Sequence, residues 1–205
     1  MQQNNYIAID GPSASGKGTI SKMLGEKLNL PVLYTGNIYR AIAYNILQNN
    51  IDPNNVEKAI EAAKSLKTVD LDNPNLTQEK VGQYASIIGA YPKLRDATYK
   101  FQRDFIENSI NGAVIEGRDI GTVICPEANS KFYITASTEV RATRRLTQHN
   151  NSNYEIILAD LKERDKRDQE RTVAPLKPAE DAVIIDSSNL NAKETLDMIL
   201  VKINS

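Results

Sequence analysis

Gly11-Pro12-Ser13-Ala14-Ser15-Gly16-Lys17 carries the most specific chemistry in this 205-residue chain. Glycines at both ends followed at once by a lysine give the G-x-x-x-x-G-K spacing of a phosphate-binding loop. Such glycines let successive backbone N–H groups turn to one side, and the start of a following helix adds positive potential. Lys17 then supplies a point charge for β- and γ-phosphates, so the segment points to a nucleoside triphosphate. The hydroxyl residue usual after the lysine is Gly18 here, with Thr19 one position on, which weakens the case for direct Mg²⁺ ligation by a hydroxyl. The bland account is a Gly/Ser-rich turn with an exposed lysine.

Binding alone does not say what becomes of the phosphate, because switches, motors and kinases share this loop. A kinase acting on a phosphorylated acceptor needs several arginines to hold the second anion. Arginines do gather here: Arg40, Arg95 and Arg118, then Arg141, Arg144 and Arg145, then Arg164, Arg167 and Arg171. On a helix starting near Tyr154, Arg164, Asp168 and Arg171 fall at i, i+4 and i+7 and share one side. Taken singly, each arginine also reads as a solvated charge in surface salt links worth about 0.2–0.5 kcal/mol apiece.

These residues need positioning, and the hydrophobic pattern supplies the elements. Tyr6–Asp10, Pro31–Tyr34, Ala113–Glu116, Lys131–Thr135 and Val183–Asp186 are short apolar runs bounded by turn residues, which predicts strands. Helical spacing covers Lys17–Leu28, Ile38–Leu47, Val56–Leu66, Glu79–Tyr91, Pro92–Ile110, Thr138–His149, a segment from Tyr154, and a last one through Leu196 to Ile203. Thr68–Thr77, rich in Asp, Asn and Pro, is a turn-rich segment with little pattern. Strands alternating with helices predict an α/β fold with a mainly parallel sheet. Ligands in such sheets sit beyond the carboxyl ends of the strands, which is where Gly11–Thr19, Thr35–Arg40 and Gly117–Thr122 fall.

Composition narrows the function classes. Lys plus Arg number 25 against 26 Asp plus Glu, a net charge of −1, so no broad basic face for a nucleic acid is expected. One Cys and one His make neither an internal disulfide nor a zinc site. No apolar run approaches the ~20 residues of a membrane span, and Met1–Asn5 does not read as a signal peptide. A cytoplasmic protein acting on small molecules is the consistent expectation. Cys125 reads as a small buried residue and His149 as an exposed one at a helix end.

Gly11-Pro-Ser-Ala-Ser-Gly-Lys-Gly-Thr19, Thr35-Gly-Asn-Ile-Tyr-Arg40, Gly117-Arg-Asp-Ile-Gly-Thr122 and Arg164-Asp-Lys-Arg-Asp-Gln-Glu-Arg-Thr-Val-Ala-Pro175 together resemble bacterial cytidylate kinases. The likeness runs from the first strand to the last helix, and the last two elements are far more specific than the first. It implies transfer of a phosphoryl group from ATP to CMP or dCMP on a P-loop kinase fold, a five-stranded parallel sheet flanked by helices. It implies one domain over residues 1–205, with a shortened acceptor-binding region at about 36–110 and a helical lid at about 150–175.

By position the resemblance implies that Gly11, Pro12, Ser13, Ala14, Ser15, Gly16, Lys17, Gly18 and Thr19 hold ATP, with Arg141 and Arg145 as further ATP contacts. Thr35, Arg40, Ser86, Arg95, Arg118, Asp119, Arg164, Asp168 and Arg171 match acceptor-nucleotide positions. Lys17, Arg118, Arg164 and Arg171 would carry the catalysis. Mg²⁺ would arrive with ATP, without a direct protein ligand, and meet Thr19 or Glu116 through water. A monomer that binds neither nucleic acid nor membrane is implied. The chain departs from the family at Tyr34 and Glu116, where Asp is usual, and in Thr68–Thr77, which replaces a longer β-rich insert. Three other readings stay open at this point: a kinase of UMP or AMP, a nucleotide-binding regulator without transfer, and an interaction protein on the same fold.

Overall fold

In the computed structural model, residues 5–148 and 153–203 are described, and the chain divides into two compact units, Met1–Leu33 with Ile106–Ser205, and Tyr34–Phe105. Asn5–Asp10, with Ile7, Ala8 and Ile9 all essentially inaccessible, forms β1. A strand apolar on both faces belongs at the centre of a covered parallel sheet. It lies there, between β3 (Gly112–Gly117) and β4 (Ser130–Thr135), parallel to both. With β2 (Val32–Tyr34) beyond β3 and β5 (Val183–Asp186) parallel to β4, the five-stranded order is β2-β3-β1-β4-β5. The register sets Asp10 level with Gly117 on one side and Tyr133 on the other. The loops after β1 and β3 therefore leave the sheet at the same edge, as ligand sites in such sheets require.

α1 (Lys17–Leu28) and α8 (Ala192–Ile203) cover the sheet through a core of Ile7, Ile9, Ile20, Leu24, Val114, Phe132, Ile134, Ile185, Leu196 and Ile199. Full burial of such a side chain is worth about 1.5–3 kcal/mol. A smaller cluster joins α6 (Thr138–Gln148) to α7 (Tyr154–Glu170) through Ala142, Ile157 and Leu161, with Ala14 of the phosphate loop packed against it. The Asn153 side chain caps α7 by accepting from the N–H groups of Glu155 and Ile156.

The other unit is helical. α2 (Thr35–Gln48), α3 (Val56–Lys64), α4 (Glu79–Ile88) and the first part of α5 (Pro92–Asn108) enclose Ile38, Ile42, Ile46, Ala59, Val81, Ile88 and Leu94. Between α3 and α4, Thr68–Asp72 and Pro74–Thr77 form two 3₁₀ turns, and Leu76 is buried. The segment expected to lack pattern is thus ordered by the buried Leu76, by Leu71 packed against the same unit's core, and by Asn73, whose side chain accepts from the N–H of Asn75.

Element ends differ from expectation by a few residues. α4 stops at Ile88, before Gly89, and α5 at Asn108. α6 is described to Gln148, and His149 lies outside the described residues. One element had no sequence expectation: Ile120–Ile124 coils into a π-helical turn. Among the described residues no helix is long and apolar enough to cross a membrane.

Gly11 shows how tightly β1 hands over to its loop. Its φ is +146°, and a Cβ there would stand 2.0 Å from the carbonyl oxygen of Ile134. Gly11→Ala should therefore cost about 1–3 kcal/mol through forced backbone displacement. Gly18→Ala, in the open first turn of α1 with nothing within 4 Å, should be neutral or gain up to about 1 kcal/mol. Urea denaturation of the two variants without nucleotide checks the contrast.

Candidate active site

The loop from Gly11 to Gly16 ends in a left-handed residue, since Gly16 has φ +92° and caps α1 without any side-chain hydrogen bond. No acidic residue occupies the first turn of the helix. The leading N–H groups of α1 and its positive end are thus not neutralised by a cap, the condition an anion site needs. Ser13 and Ser15 are buried in the loop, while Gly18 and Thr19 are exposed on the first turn.

Lys17 folds back under this loop. Its ammonium donates to the Pro12 carbonyl at 2.7 Å and stands 3.5 Å from both the Ser15 hydroxyl and the Glu116 carboxylate. Burial, aided by the nearby Arg118 guanidinium, lowers the Lys17 pKa to about 7, although Glu116 works in the opposite direction.

The end of β3 brings the next set. Arg118 donates from Nε to Asp168 Oδ2 at 3.0 Å and from Nη1 to the Gly117 carbonyl. Asp119 faces Arg171, with Oδ1 at 3.4 Å from Nη2, rather than its chain neighbour Arg118. Burial would raise Asp168, but Arg118, Arg164 and Arg171 outweigh it and hold the carboxyl below its usual range. Arg118, with Asp168 and Glu116 beside it, is raised despite its burial. Arg118, Asp119, Asp168 and Arg171, expected from sequence, are therefore brought together as two ion pairs. Arg164 lies one turn before Asp168 on α7.

Beneath these pairs sits Asp10, whose importance the sequence did not signal. Its two oxygens accept from the N–H groups of Ile120 at 2.9 Å and Gly121 at 2.8 Å, fixing the π-helical turn that follows Asp119. Burial drives its pKa up to about 6 against those two hydrogen bonds.

The arginines of α6 have other engagements. Arg141 is bound to the Ser13 carbonyl, Ala136, Thr138 and Asp165. Arg145 is buried on the same helix. Arg144, absent from the expected set, donates to the carbonyls of Ser187 and Leu190 and to the Ser187 hydroxyl. It so ties the loop after β5 to the unit's centre, and only its place in an arginine cluster could have flagged it.

Thr35, Arg40, Ser86 and Arg95 belong to the unit Tyr34–Phe105. Thr35 opens α2 and is buried, as is Ser86 on α4. Arg40 donates to the Leu76 carbonyl and lies against Gly82, where a Cβ would be 3.0 Å from Nη2. Arg95 donates to the Gly89 carbonyl and stacks 5.8 Å above the Tyr39 ring. Cys125 is fully buried in the unit that carries the sheet. Among the described residues no group of three or more His, Cys, Asp or Glu could hold a metal ion.

The family model described as cytidylate kinase matches residues 7–205. The chain belongs to the cytidylate kinase family. Among its relatives in this family, a cytidylate kinase of Rhodospirillum rubrum is 42% identical over 201 residues, covering 95% of this chain and 94% of that one. One from a Bradyrhizobium species is 46% identical over 189 residues, covering 90% and 89%. Among solved structures, an uncharacterized protein from Eubacterium ventriosum aligns with TM-score 0.59 at 15% identity over 98% of this chain and 99% of that one. A gluconokinase from Sinorhizobium meliloti aligns with TM-score 0.52 at 12% identity over 100% and 94%. These two likenesses are of fold alone, and the fold is that of a P-loop kinase.

In this family member the buried lysine has a measurable consequence. A Lys17 pKa of about 7, against 10.5 when solvated, means that the folded state releases a proton the unfolded chain keeps. The favourable contribution is complete above about 10.5 and is lost as pH falls through about 7. Without nucleotide, Lys17→Met removes that dependence. Its urea midpoint should exceed that of the wild type by a margin that widens from pH 9.5 to pH 7. A margin constant across that range would contradict the burial of a strained ammonium.

Proposed function

We propose that the chain transfers the γ-phosphoryl group of ATP to CMP or dCMP, giving ADP and CDP or dCDP. The family match over residues 7–205 carries the reading, and the pairing of Arg118 and Asp119 with Asp168 and Arg171 beside Lys17 supports it.

In this reading Gly11–Thr19 holds the triphosphate, and the anion restores the charge of Lys17 by offsetting the burial that depresses it. A monophosphate acceptor is already largely dianionic near pH 7, its second pKa being ~6, so no general base is needed. Catalysis then consists of positioning and of neutralising charge in a loose transition state. Lys17 follows the transferring group, and Arg118, Arg164 and Arg171 turn from their carboxylate partners toward phosphate oxygens. Closure of the lid expected at about 150–175, of which residues 150–152 lie outside the described residues, would exclude water, which would otherwise take the phosphoryl group. Mg²⁺, when it arrives with ATP, would supply charge neutralisation on the triphosphate. The exposed Thr19 hydroxyl and the Glu116 carboxylate beside Lys17 are oxygen donors of the kind it prefers and would hold it through water.

The acceptor assignments belong to the same proposal: Thr35, Arg40, Ser86 and Arg95 in one unit, Arg118, Asp119, Arg164, Asp168 and Arg171 in the other. So do a monomeric state and a cytoplasmic setting. Transfer to UMP or AMP is the nearest competing reading. ADP formation measured with CMP, dCMP, UMP, AMP and no acceptor decides between them. Turnover is expected with CMP or dCMP, and turnover confined to UMP or AMP, or equal without acceptor, would overturn the proposal.

Asp119 is the proposed reader of cytosine. An ionised carboxylate accepts only, so it suits the N4 amino group of cytosine and repels the O4 of uracil. Asp119→Ala should lower kcat/KM for CMP by an amount equivalent to about 1–3 kcal/mol and narrow the gap between CMP and UMP. A gap of unchanged width would move base reading to another residue.

A further inference from the structure

We propose that Arg141 is a positioning residue that fastens the phosphate loop to helix α7 through a buried, two-pronged pair with Asp165. A guanidinium has five N–H donors, and here every one is engaged within the protein. Nε donates to the Ala136 carbonyl at 2.9 Å. Nη1 donates to the Ser13 carbonyl at 3.2 Å and to Asp165 Oδ1 at 3.0 Å. Nη2 donates to the Thr138 hydroxyl at 2.8 Å and to Asp165 Oδ2 at 2.6 Å. One side chain thereby joins the end of β4, the phosphate loop, the first turn of α6 and the middle of α7.

The arrangement differs from the ATP contact that the resemblance implies for Arg141. To reach a phosphate, this guanidinium would have to leave Asp165, whose side chain is only 15% exposed, and release the loop carbonyl. Parallel two-point pairing of a guanidinium with a carboxylate also fixes orientation, which a lysine cannot do. Beside the pair, Ala14 of the loop packs on Ala142, Ile157 and Leu161, so loop and helices also share one apolar cluster.

α7 carries the consequence toward the other lid residues. Asp165 meets Arg141, Asp168 meets Arg118, and Arg171 meets Asp119, at three-residue intervals along and just past the helix. A helix pinned at Asp165 to the phosphate loop cannot rotate without displacing Arg164, Asp168 and Arg171. The position of the loop and the aim of the lid arginines are therefore coupled through Arg141. The inference rests on reading Gly11–Thr19 as the nucleotide cradle, and its first test is independent of turnover.

Hydrogen exchange of the nucleotide-free protein is compared for wild type, Arg141→Ala, Asp165→Ala and Asp165→Glu. Faster exchange in both residues 12–16 and residues 160–171 is expected for either alanine variant, with partial rescue by Asp165→Glu, which keeps the charge. Asp165→Ala should also lower kcat on the order of 10²-fold, the cost of a small misplacement. Its dissociation constant for ADP should stay within about threefold, since Arg141 does not touch nucleotide (a threefold change is about 0.65 kcal/mol). Should Asp165→Ala fail to fold, Asp165→Asn, which keeps one acceptor, gives the same comparison. Loop exchange at the wild-type rate in the Asp165 variants would overturn the proposal. So would a weakening of ADP binding confined to Arg141→Ala, which is the mark of a direct nucleotide contact. Absence of CMP phosphorylation with coupled exchange intact would instead count against the proposed reaction and leave the positioning role standing.

Discussion

Cations crowded beneath a protein surface repel one another and lose hydration, so a cluster of them must be balanced by carboxylates. Four cations at the edge of this sheet have a carboxylate beside them. Lys17 stands by Glu116, Arg118 by Asp168, Arg171 by Asp119 and Arg141 by Asp165. Buried ion pairs are poor contributors to stability, because desolvation offsets most of the attraction. Their worth here is geometric: they hold long side chains in place while the site waits. At Lys17 the balance is incomplete, because burial outweighs the nearby Glu116 and lowers the pKa to about 7.

The backbone meets the same constraint differently. A left-handed Gly16 leaves the first turn of α1 uncapped, whereas the turn after Asp119 is capped twice by Asp10. An uncapped helix start is the arrangement that suits an anion, and the doubly held turn fixes the backbone after Asp119. The second follows from the register that sets Asp10 level with Gly117, where a β1 side chain can reach the amides beyond β3.

Spacing within one stretch of chain made the phosphate loop and the Arg164, Asp168, Arg171 face readable, and the alternation of strands and helices made the sheet readable. What escaped notice depends on partners far away in sequence. Asp10 looks like any acidic residue at a strand end before a glycine, and its amides lie 110 residues on. Asp165 is hidden in the run Glu163-Arg-Asp-Lys-Arg-Asp168, where neighbouring charges offer equal claims to surface pairing. Ile120–Ile124 has an apolar composition that suits a strand as well as a coil, and its π-helical form follows from the Asp10 clamp rather than from propensity. The three arginine pairings themselves could not be read off spacing, which placed Asp119 beside Arg118 in sequence while the fold pairs it with Arg171.

Thr68–Thr77 shows the opposite lesson, since composition marks it as a remnant and the fold gives it work. Its two 3₁₀ turns leave the carbonyls of Leu71 and Leu76 pointing back at α2, where they accept from Asn37 at 3.1 Å and from Arg40. Leu76 enters the core of the unit, so the acceptor of the Arg40 hydrogen bond is anchored by burial rather than by a larger insert. On the other side Gly82, lacking a Cβ, leaves the room in which the Arg40 guanidinium lies. A short segment anchored by Leu71 and Leu76 is enough to hold one arginine. The neutral carbonyl of Leu76 also binds a guanidinium less strongly than a carboxylate does.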